Sequence, residues 1–340
     1  MAFFKKVACF TDIHFGLKSN SRIHNDDCED FVRWFIEQAK AEGCETCIFL
    51  GDWHHHRSAT NVSTMNYTVS NMERLGAAFE KVYVIMGNHD LYYREKREIN
   101  SMEYIRNIPN IHIVNQWLVE DDVAIIPWIV EDEYKKIKKM KQKYVFGHFE
   151  LPYFKMNAMV EMPDIGGIQT DYFAGCGKVF SGHFHKRQQM KNVTYMGNAF
   201  PHNYADAWDD DRGMMILEYG GEPKYINWSD MPRYITIKIS ELLADPDKYL
   251  KPKMYVRVTL DIKISYEEAN FVRETFIDKY KLRELQLIPE QVDNAQQPTV
   301  QVQKFDSVDQ IVIKQLQGVD SETYDKNILT AIYNDLDVAN

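Results

Sequence analysis

The chain has 340 residues, of which 45% are hydrophobic and 13% aromatic. This composition supports a sizeable buried core and excludes a chain that is disordered throughout. The 40 basic and 50 acidic residues give a net charge of −10, so bulk electrostatic attraction cannot hold the protein on nucleic acid or on an anionic membrane. The longest apolar run, at 124–130, is far shorter than the roughly 18 residues of a membrane-spanning helix.

Cysteine usage indicates a reducing compartment. The chain has five cysteines, a sparse and odd set, which argues against a disulfide scaffold. The first residues offer no apolar stretch long enough for a secretory signal, and we expect a cytoplasmic protein. Cys44 and Cys47 have the spacing of a redox motif, but Cys47 leads into the apolar run 48–50, which favours a place in the core.

Strands alternate with helices over the first two-thirds of the chain, the pattern of an α/β domain. Apolar residues recur at helical spacing at 31–38 and again at 65–75, which predicts two amphipathic helices. The predicted strands are 7–10, 46–50, 82–86, 124–126, 144–146 and 178–181.

A small second unit of α+β type is predicted after residue 228. Residues 234–239 and 254–262 alternate like half-exposed strands. Ser265 and Glu268 form a capping box that begins a helix ending near residue 280, and 285–288 resembles a closing strand. We therefore divide the chain into a first domain at 1–228, a second domain at 229–289 and a tail at 290–340.

The tail begins with a linker at 289–298. Apolar residues beyond the linker predict two short amphipathic helices, which bury little surface on their own. These helices either pack on the body of the protein or dock a partner. With 3 basic and 9 acidic residues, the tail is poorly suited to DNA, and its apolar spacing fits a groove on another protein.

Five predicted strands are each followed directly by polar residues that can bind a metal. These are Asp12 and His14, then Asp52 and His55, then Asn88 and His89, then His148, and finally His183 and His185. Because ligands of open α/β sheets bind beyond the carboxyl ends of the strands, we expect all five loops to line one crevice. Taken singly, each motif could be an ordinary turn or a solvated histidine. Their conjunction in fixed order is what indicates a site.

The donors comprise carboxylates, an amide and imidazoles without a thiolate, which suits Mn²⁺, Fe²⁺ or Zn²⁺. Seven of them are candidate ligands: Asp12, His14, Asp52, Asn88, His148, His183 and His185. They are too many for one catalytic ion that must keep open positions. Divided between two ions with one bridging carboxylate, they give about four donors to each. Such an ion pair suits in-line displacement at phosphorus.

The motif order Asp-x-His, Gly-Asp-x-x-His, Gly-Asn-His-Asp, Gly-His, Gly-His-x-His, within 12–185, resembles that of the calcineurin-like metallophosphoesterases. Within that superfamily the chain is similar to the SbcD-type DNA repair and recombination nuclease subunits, including those of phages. The resemblance implies a metallophosphoesterase fold, in which a two-layered β-sandwich is flanked by helices. It also implies a small α+β capping domain and a helical C-terminal tail.

The resemblance also implies roles for individual residues. Asp12, His14 and His185 would hold one Mn²⁺ ion, Asn88, His148 and His183 would hold the other, and Asp52 would bridge the two. His89 would protonate the leaving oxygen or stabilise the transition state, and His55 would support the phosphate or orient His89. His54 and His56 match no position of the family and receive no role.

We therefore expect a Mn²⁺-dependent DNA exonuclease and endonuclease, the nuclease subunit of an SbcCD-like complex in double-strand-break repair and recombination. The resemblance implies DNA and an SMC-like ABC ATPase as partners, the ATPase bound through the tail. It also implies a homodimer formed through helices near 60–106 and, for a phage protein, action in the host cytoplasm. Basic residues of the second domain, among them Lys248, Lys251, Lys253 and Arg257, could contact the DNA backbone or form an ordinary solvated surface.

Two other functions stay open. The same centre could serve a phosphatase or a cyclic-nucleotide phosphodiesterase. Alternatively, the chain could be a non-catalytic scaffold subunit with a vestigial site. The complete donor set weighs against the scaffold, because a decayed site should have lost at least one ligand.

Overall fold

The computed structural model describes residues 2–156 and 160–289. The predicted linker and tail at 290–340 lie outside the described residues. The strands are, in chain order, β1 (Lys6–Phe10), β2 (Thr46–Phe49), β3 (Lys81–Ile85), β4 (Ile111–Val114), β5 (Leu118–Glu120), β6 (Val123–Ile126), β7 (Tyr144–His148), β8 (Lys178–Gly182), β9 (Gln188–Met190), β10 (Val193–Tyr195), β11 (Gly213–Glu218), β12 (Lys224–Asn227), β13 (Arg233–Lys238), β14 (Met254–Leu260) and β15 (Glu284–Pro289).

Helices fill several of the connections between the strands. They are α1 (Leu17–Asn20), α2 (Arg22–Ala41), α3 (Val62–Ala78), α4 (Tyr134–Ile137), α5 (Ile239–Ala244), α6 (Pro246–Tyr249) and α7 (Tyr266–Tyr280), with 3₁₀ turns at Glu103–Ile105, Thr170–Phe173 and Tyr204–Asp206. Within the described ranges, none of these helices has the length and apolarity needed to traverse a lipid bilayer.

Two six-stranded sheets form the body of the protein, in the orders β12-β11-β1-β2-β3-β4 and β5-β6-β7-β8-β10-β9. Strands β1 to β4 run parallel, as do β6 to β8. The carboxyl ends of the strands that carry the polar motifs therefore meet at one edge of each sheet.

Both faces of the central strands are buried, which explains their nearly continuous apolar sequences. In β1, Ala8 and Phe10 pack in the cluster formed with α2 and α3. The alternate residues Val7 and Cys9 pack between the two sheets, in a cluster that includes Phe146 of the second sheet. This layered arrangement confirms the predicted α/β sandwich flanked by helices.

A third sheet, of three parallel strands in the order β13-β14-β15, lies in the region predicted as the second domain. Ser265 and Glu268 form the predicted capping box at the start of α7. Arg283 of this region donates to the buried carboxylate of Asp27 on α2 at 3.0 Å, and burial raises the pKa of Asp27 to about 6. The domain boundaries and the DNA-contacting role of this region stay predictions.

Candidate metal centre

The loops after β1, β2, β3, β7 and β8 converge on one site, which contains a cavity of about 150 Å³. The cavity is lined by His14, Leu17, Asp52, His55, His89, His183, His185, His202 and Asn203. Asp12, Asn88 and His148, the other sequence-predicted residues, lie beside these groups and are buried. The structure thus brings all nine predicted site residues together, while their individual roles stay predictions.

Several of these residues have a strained backbone. Asp12, His14, Asp52 and His183 adopt positive φ values of 51°, 53°, 61° and 94°. Non-glycine residues occupy this region at a cost of about 1–3 kcal/mol each, and such residues cluster at functional sites. Hydrogen bonds between the first two loops hold them there, for example from the N–H of Asp12 to the carbonyl of Gly51 at 3.0 Å.

The first group of donors consists of Asp12, His14 and Asp52, whose ligand atoms all lie within 4.8 Å of one another. His14 Nε2 lies 3.9 Å from Asp12 Oδ1 and 3.8 Å from Asp52 Oδ2. Both ring nitrogens of His14 are buried without a hydrogen-bond partner. The His185 ring lies beside His14, with 5.4 Å between the ring centroids. An unpartnered imidazole between two carboxylates fits a cation, which would satisfy all three side chains.

The second group consists of Asp52, His148 and His183, again within 4.8 Å of one another. Asn88 Oδ1 lies among them, 3.1 Å from His148 Nε2 and 2.9 Å from His183 Nδ1. Asp52 belongs to both groups, so that its carboxylate can face two ions at once. The residues present therefore fit a pair of divalent ions.

The protonation states of the buried side chains also suit metal binding. Burial lowers the pKa of His14 well below its usual value, so that its ring stays neutral. Burial also acts to lower the pKa of His148, but the Asp52 carboxylate overrides it and raises that pKa to about 9. Without a metal, His148 carries a proton and pairs with the Asp52 carboxylate, its Nε2 lying 3.4 Å from Asp52 Oδ2. Binding a cation must displace this proton, which couples metal affinity to pH.

His89 and His55 line the side of the cavity next to His14. Their rings stack, with 5.4 Å between centroids and 19° between planes. His89 Nδ1 lies 2.7 Å from the carbonyl oxygen of His55 and donates to it, because that oxygen can only accept. This bond leaves His89 Nε2 for proton transfer. Burial lowers the pKa of His55 to about 4.

The other two histidines of the 54–56 triplet take no part in the site. His54 is buried, and its ring nitrogens lie 2.7 Å from Ser101 Oγ and 2.9 Å from Thr68 Oγ1. His56 is exposed. Neither residue belongs to a donor group among the described residues.

Asp90 has a structural function that the sequence analysis missed. Its buried carboxylate accepts hydrogen bonds from four backbone N–H groups. Three belong to Asp52, Trp53 and His54 after β2, and the fourth belongs to Gly87 after β3. Burial, reinforced by the Asp52 carboxylate, raises the pKa of Asp90 to about 7. One side chain thus joins the two loops that carry Asp52, Asn88 and His89.

Glu150 is a second residue that sequence motifs did not identify. Its Oε1 lies 3.3 Å from His183 Nε2, and Arg94 Nη2 donates to both of its carboxylate oxygens at 2.7 Å. A carboxylate that accepts from one ring nitrogen fixes the tautomer and presents the other nitrogen to a metal. For His183 that other nitrogen is Nδ1, which faces Asn88.

The chain is similar to several known proteins. Residues 5–187 match the family described as calcineurin-like phosphoesterase. The chain is 24% identical over 317 residues to exonuclease subunit 1 of Enterobacteria phage T4, an alignment that covers 85% of this chain and 92% of that protein. Similar solved structures include a dimetal phosphatase from Danio rerio, 10% identical over 63% of this chain and 92% of that one, with a TM-score of 0.42. A nuclease from Pseudomonas putida is 16% identical over 63% and 84% of the two chains, with a TM-score of 0.31.

The first prediction concerns Asp90. Asp90→Asn replaces one of two acceptor oxygens by an NH₂ group that meets backbone donors, so buried N–H groups lose their partners. We expect a loss of about 3 kcal/mol in the free energy of unfolding, measured by urea denaturation of the metal-free protein. Asp121→Asn, at an exposed position, is the control. A loss no larger than that of the control would contradict the structural role.

The second prediction concerns Glu150. Glu150→Gln weakens the acceptor of His183 Nε2 and the ion pair with Arg94, so we expect Mn²⁺ affinity to fall about 10-fold at one of the two ion positions. Calorimetric titration of the metal-free protein measures this affinity. Glu95→Gln removes the same charge from an exposed neighbour of Arg94 and should leave affinity unchanged. Equal affinities in the two variants would refute the orienting role of Glu150.

Proposed function

This chain belongs to the calcineurin-like phosphoesterase family, and from that premise we propose that it is a DNA nuclease that hydrolyses phosphodiester bonds at a two-metal centre. The observation that carries the proposal is the position of Asp52, a member of both donor groups. A carboxylate shared by two groups is what a pair of neighbouring ions requires, and such a pair suits displacement at phosphorus.

We propose that the donors divide between the two ions as the family resemblance implies. Asp12, His14 and His185 would hold one ion and Asn88, His148 and His183 the other, with Asp52 between them. We propose Mn²⁺ as the ion, because the resemblance implies it and the mixed oxygen and imidazole donors are compatible with it. When bound, the two ions activate water and stabilise the charge that develops on the phosphate.

The protein's own contribution to bond cleavage comes mainly from His89. Its Nδ1 donates to the His55 carbonyl and its backbone N–H donates to Asp52 Oδ1 at 2.8 Å. The ring is therefore held beside the carboxylate shared by both donor groups. From this position Nε2 can protonate the leaving oxygen. The stacked ring of His55 limits the movement of His89.

DNA binding must rely on local charge, since the chain as a whole is acidic. Many basic residues of the region around the third sheet already pair within the protein. Lys253 contacts Asp230 at 2.6 Å, Arg283 contacts Asp27, and the Arg257 guanidinium lies 3.7 Å from the Tyr204 ring centroid. These contacts favour a structural function for those side chains over phosphate binding. We therefore place the main phosphate attraction at the ions themselves.

The similarity to exonuclease subunit 1 over 92% of its length supports action as a nuclease subunit. We propose that the partner is an SMC-like ABC ATPase, bound through the acidic segment 290–340, and that the complex serves DNA repair or recombination. A homodimer formed near 60–106 is part of the proposal. The exposed side chains of Tyr92, Tyr93 and Ile99 support it. The rings of Tyr92 and Tyr93 pack together at 4.7 Å between centroids, and Tyr92 pairs through its backbone with Ile99. A contiguous exposed apolar patch of this kind favours an interface.

The third prediction tests the activity. His89→Gln removes the proton donor but none of the proposed metal ligands. We expect cleavage of a hairpin DNA in the presence of Mn²⁺ to fall by 10²–10⁴-fold, while Mn²⁺ binding measured by calorimetry is unchanged. His112→Gln, at an exposed histidine of β4, is the control and should retain full activity.

Two outcomes would contradict the proposal. Cleavage at the wild-type rate by His89→Gln, with both ions bound, would refute the role of His89. Wild-type protein that hydrolyses p-nitrophenyl phosphate or cyclic nucleotides but leaves DNA intact would refute the nuclease and favour a phosphatase or cyclic-nucleotide phosphodiesterase.

A further inference from the structure

We propose that His202 is an additional protein ligand of the metal ion held by His14 and His185. This inference rests on the two-metal centre of the proposed function, and it adds a ligand that no sequence motif contains. His202 follows the run Ala199-Phe200-Pro201, well after the Gly-His-x-His motif.

The position of the His202 ring is the first argument. One ring nitrogen from each of His14, His185 and His202 lies within 4.8 Å of the others. The His202 ring centroid is 5.3 Å from that of His14 and 5.2 Å from that of His185. Its plane is nearly perpendicular to both, at 88° and 84°. This arrangement lets three imidazole nitrogens surround one ion.

The hydrogen bonding of His202 is the second argument. The side chain is buried, and its Nε2 has no hydrogen-bond partner. A buried polar atom without a hydrogen-bond partner lowers the free energy of unfolding unless a cation or another group binds it. The ring nitrogens of His14 beside it are unpartnered as well. One cation would satisfy both residues.

The neighbouring His24 is also a buried histidine, but it differs from His202 in its hydrogen bonding. Its ring lies 5.6 Å from that of His202. However, His24 Nε2 lies 3.0 Å from the carbonyl oxygen of His14, so this nitrogen already has a partner. Burial of an imidazole near the site is therefore not enough to mark it as a ligand. His202 differs from His24 because it combines an unpartnered ring nitrogen with a place in the group of His14 and His185.

The backbone of His202 is held by a buried ion pair. Its N–H donates to the carboxylate of Asp206 at 2.9 Å. Asp206 in turn accepts from Arg212 Nη2 at 3.2 Å, and Asp209 also lies 3.2 Å from that nitrogen. Asp209 thus pairs with the buried Arg212. These contacts keep the His202 ring at the site before any metal binds.

The extra ligand makes the two metal positions unequal. One position would have three imidazoles and two carboxylates, while the other would have two imidazoles, an amide and a carboxylate. Imidazole suits ions such as Fe²⁺ and Zn²⁺, whereas carboxylate and amide oxygens suit Mn²⁺. His202 thus strengthens binding at one position and shifts its preference away from Mn²⁺.

The fourth prediction uses Mn²⁺ alone as the probe, without DNA. Metal-free wild-type protein titrated by calorimetry should bind two ions. In His202→Leu one of the two affinities should fall at least 10-fold while the other is unchanged. His202→Gln should show a smaller loss, because an amide oxygen can replace the imidazole as a ligand. His54→Gln changes a buried histidine outside the donor groups and should retain both affinities.

Thermal unfolding distinguishes a metal-ligand role of His202 from a purely structural role. Without metal, His202→Leu should unfold at the wild-type temperature or above it, because the substitution removes an unpartnered polar atom. With Mn²⁺, the unfolding temperature of His202→Leu should rise by less than that of the wild type. The inference would be overturned if both His202 variants bound Mn²⁺ with wild-type affinities. It would also be overturned if His202→Leu unfolded at a lower temperature than the wild type without metal but gained as much unfolding temperature from Mn²⁺ as the wild type does. If His202→Leu does not fold, the affinities of His202→Gln decide. A wild-type protein that binds fewer than two ions would instead refute the two-metal centre, and the inference with it.

Discussion

The carboxylate of Asp90 is the constraint on which the site depends. It binds four backbone N–H groups from the loops after β2 and β3. The two loops approach so closely that a Cβ atom on Gly87 would lie 2.2 Å from Asp52 Oδ1. Only glycine allows this approach. Because the loops are tied together, Asp52, Asn88 and His89 occupy fixed positions relative to one another.

The site gathers negative charge and neutral imidazoles in a buried place, which is unfavourable without a cation. Burial keeps His14 and His55 uncharged, so they cannot balance the carboxylates of Asp12 and Asp52. Protonated His148 balances Asp52 in the metal-free state. Strained backbone at Asp12, His14, Asp52 and His183 adds to the cost. The fold therefore stores free energy that metal binding recovers, as expected for a preorganised centre.

Sequence alone predicted the central strands and the position of the site, because both follow from local patterns. Apolar runs predicted β1 and β2, and polar residues directly after such runs predicted a site at the strand ends. Six strands of the two large sheets were missed, namely β4, β5, β9, β10, β11 and β12. In β9, for example, the sequence QQM has neither an apolar run nor an alternation. Asp90, Glu150 and His202 were missed for another reason: each acts through a partner distant in sequence, and no spacing in the chain encodes such a contact.

The central claim is that Asp52 lies between two neighbouring ions, and electron paramagnetic resonance of the Mn²⁺-loaded protein tests it most directly. Two ions about 3.5–4 Å apart that share a carboxylate should give the spectrum of an exchange-coupled Mn²⁺ pair at two equivalents of metal. Asp52→Asn should lose that coupling. The account is contradicted if the wild-type protein shows only the six-line spectrum of isolated Mn²⁺ at two bound equivalents.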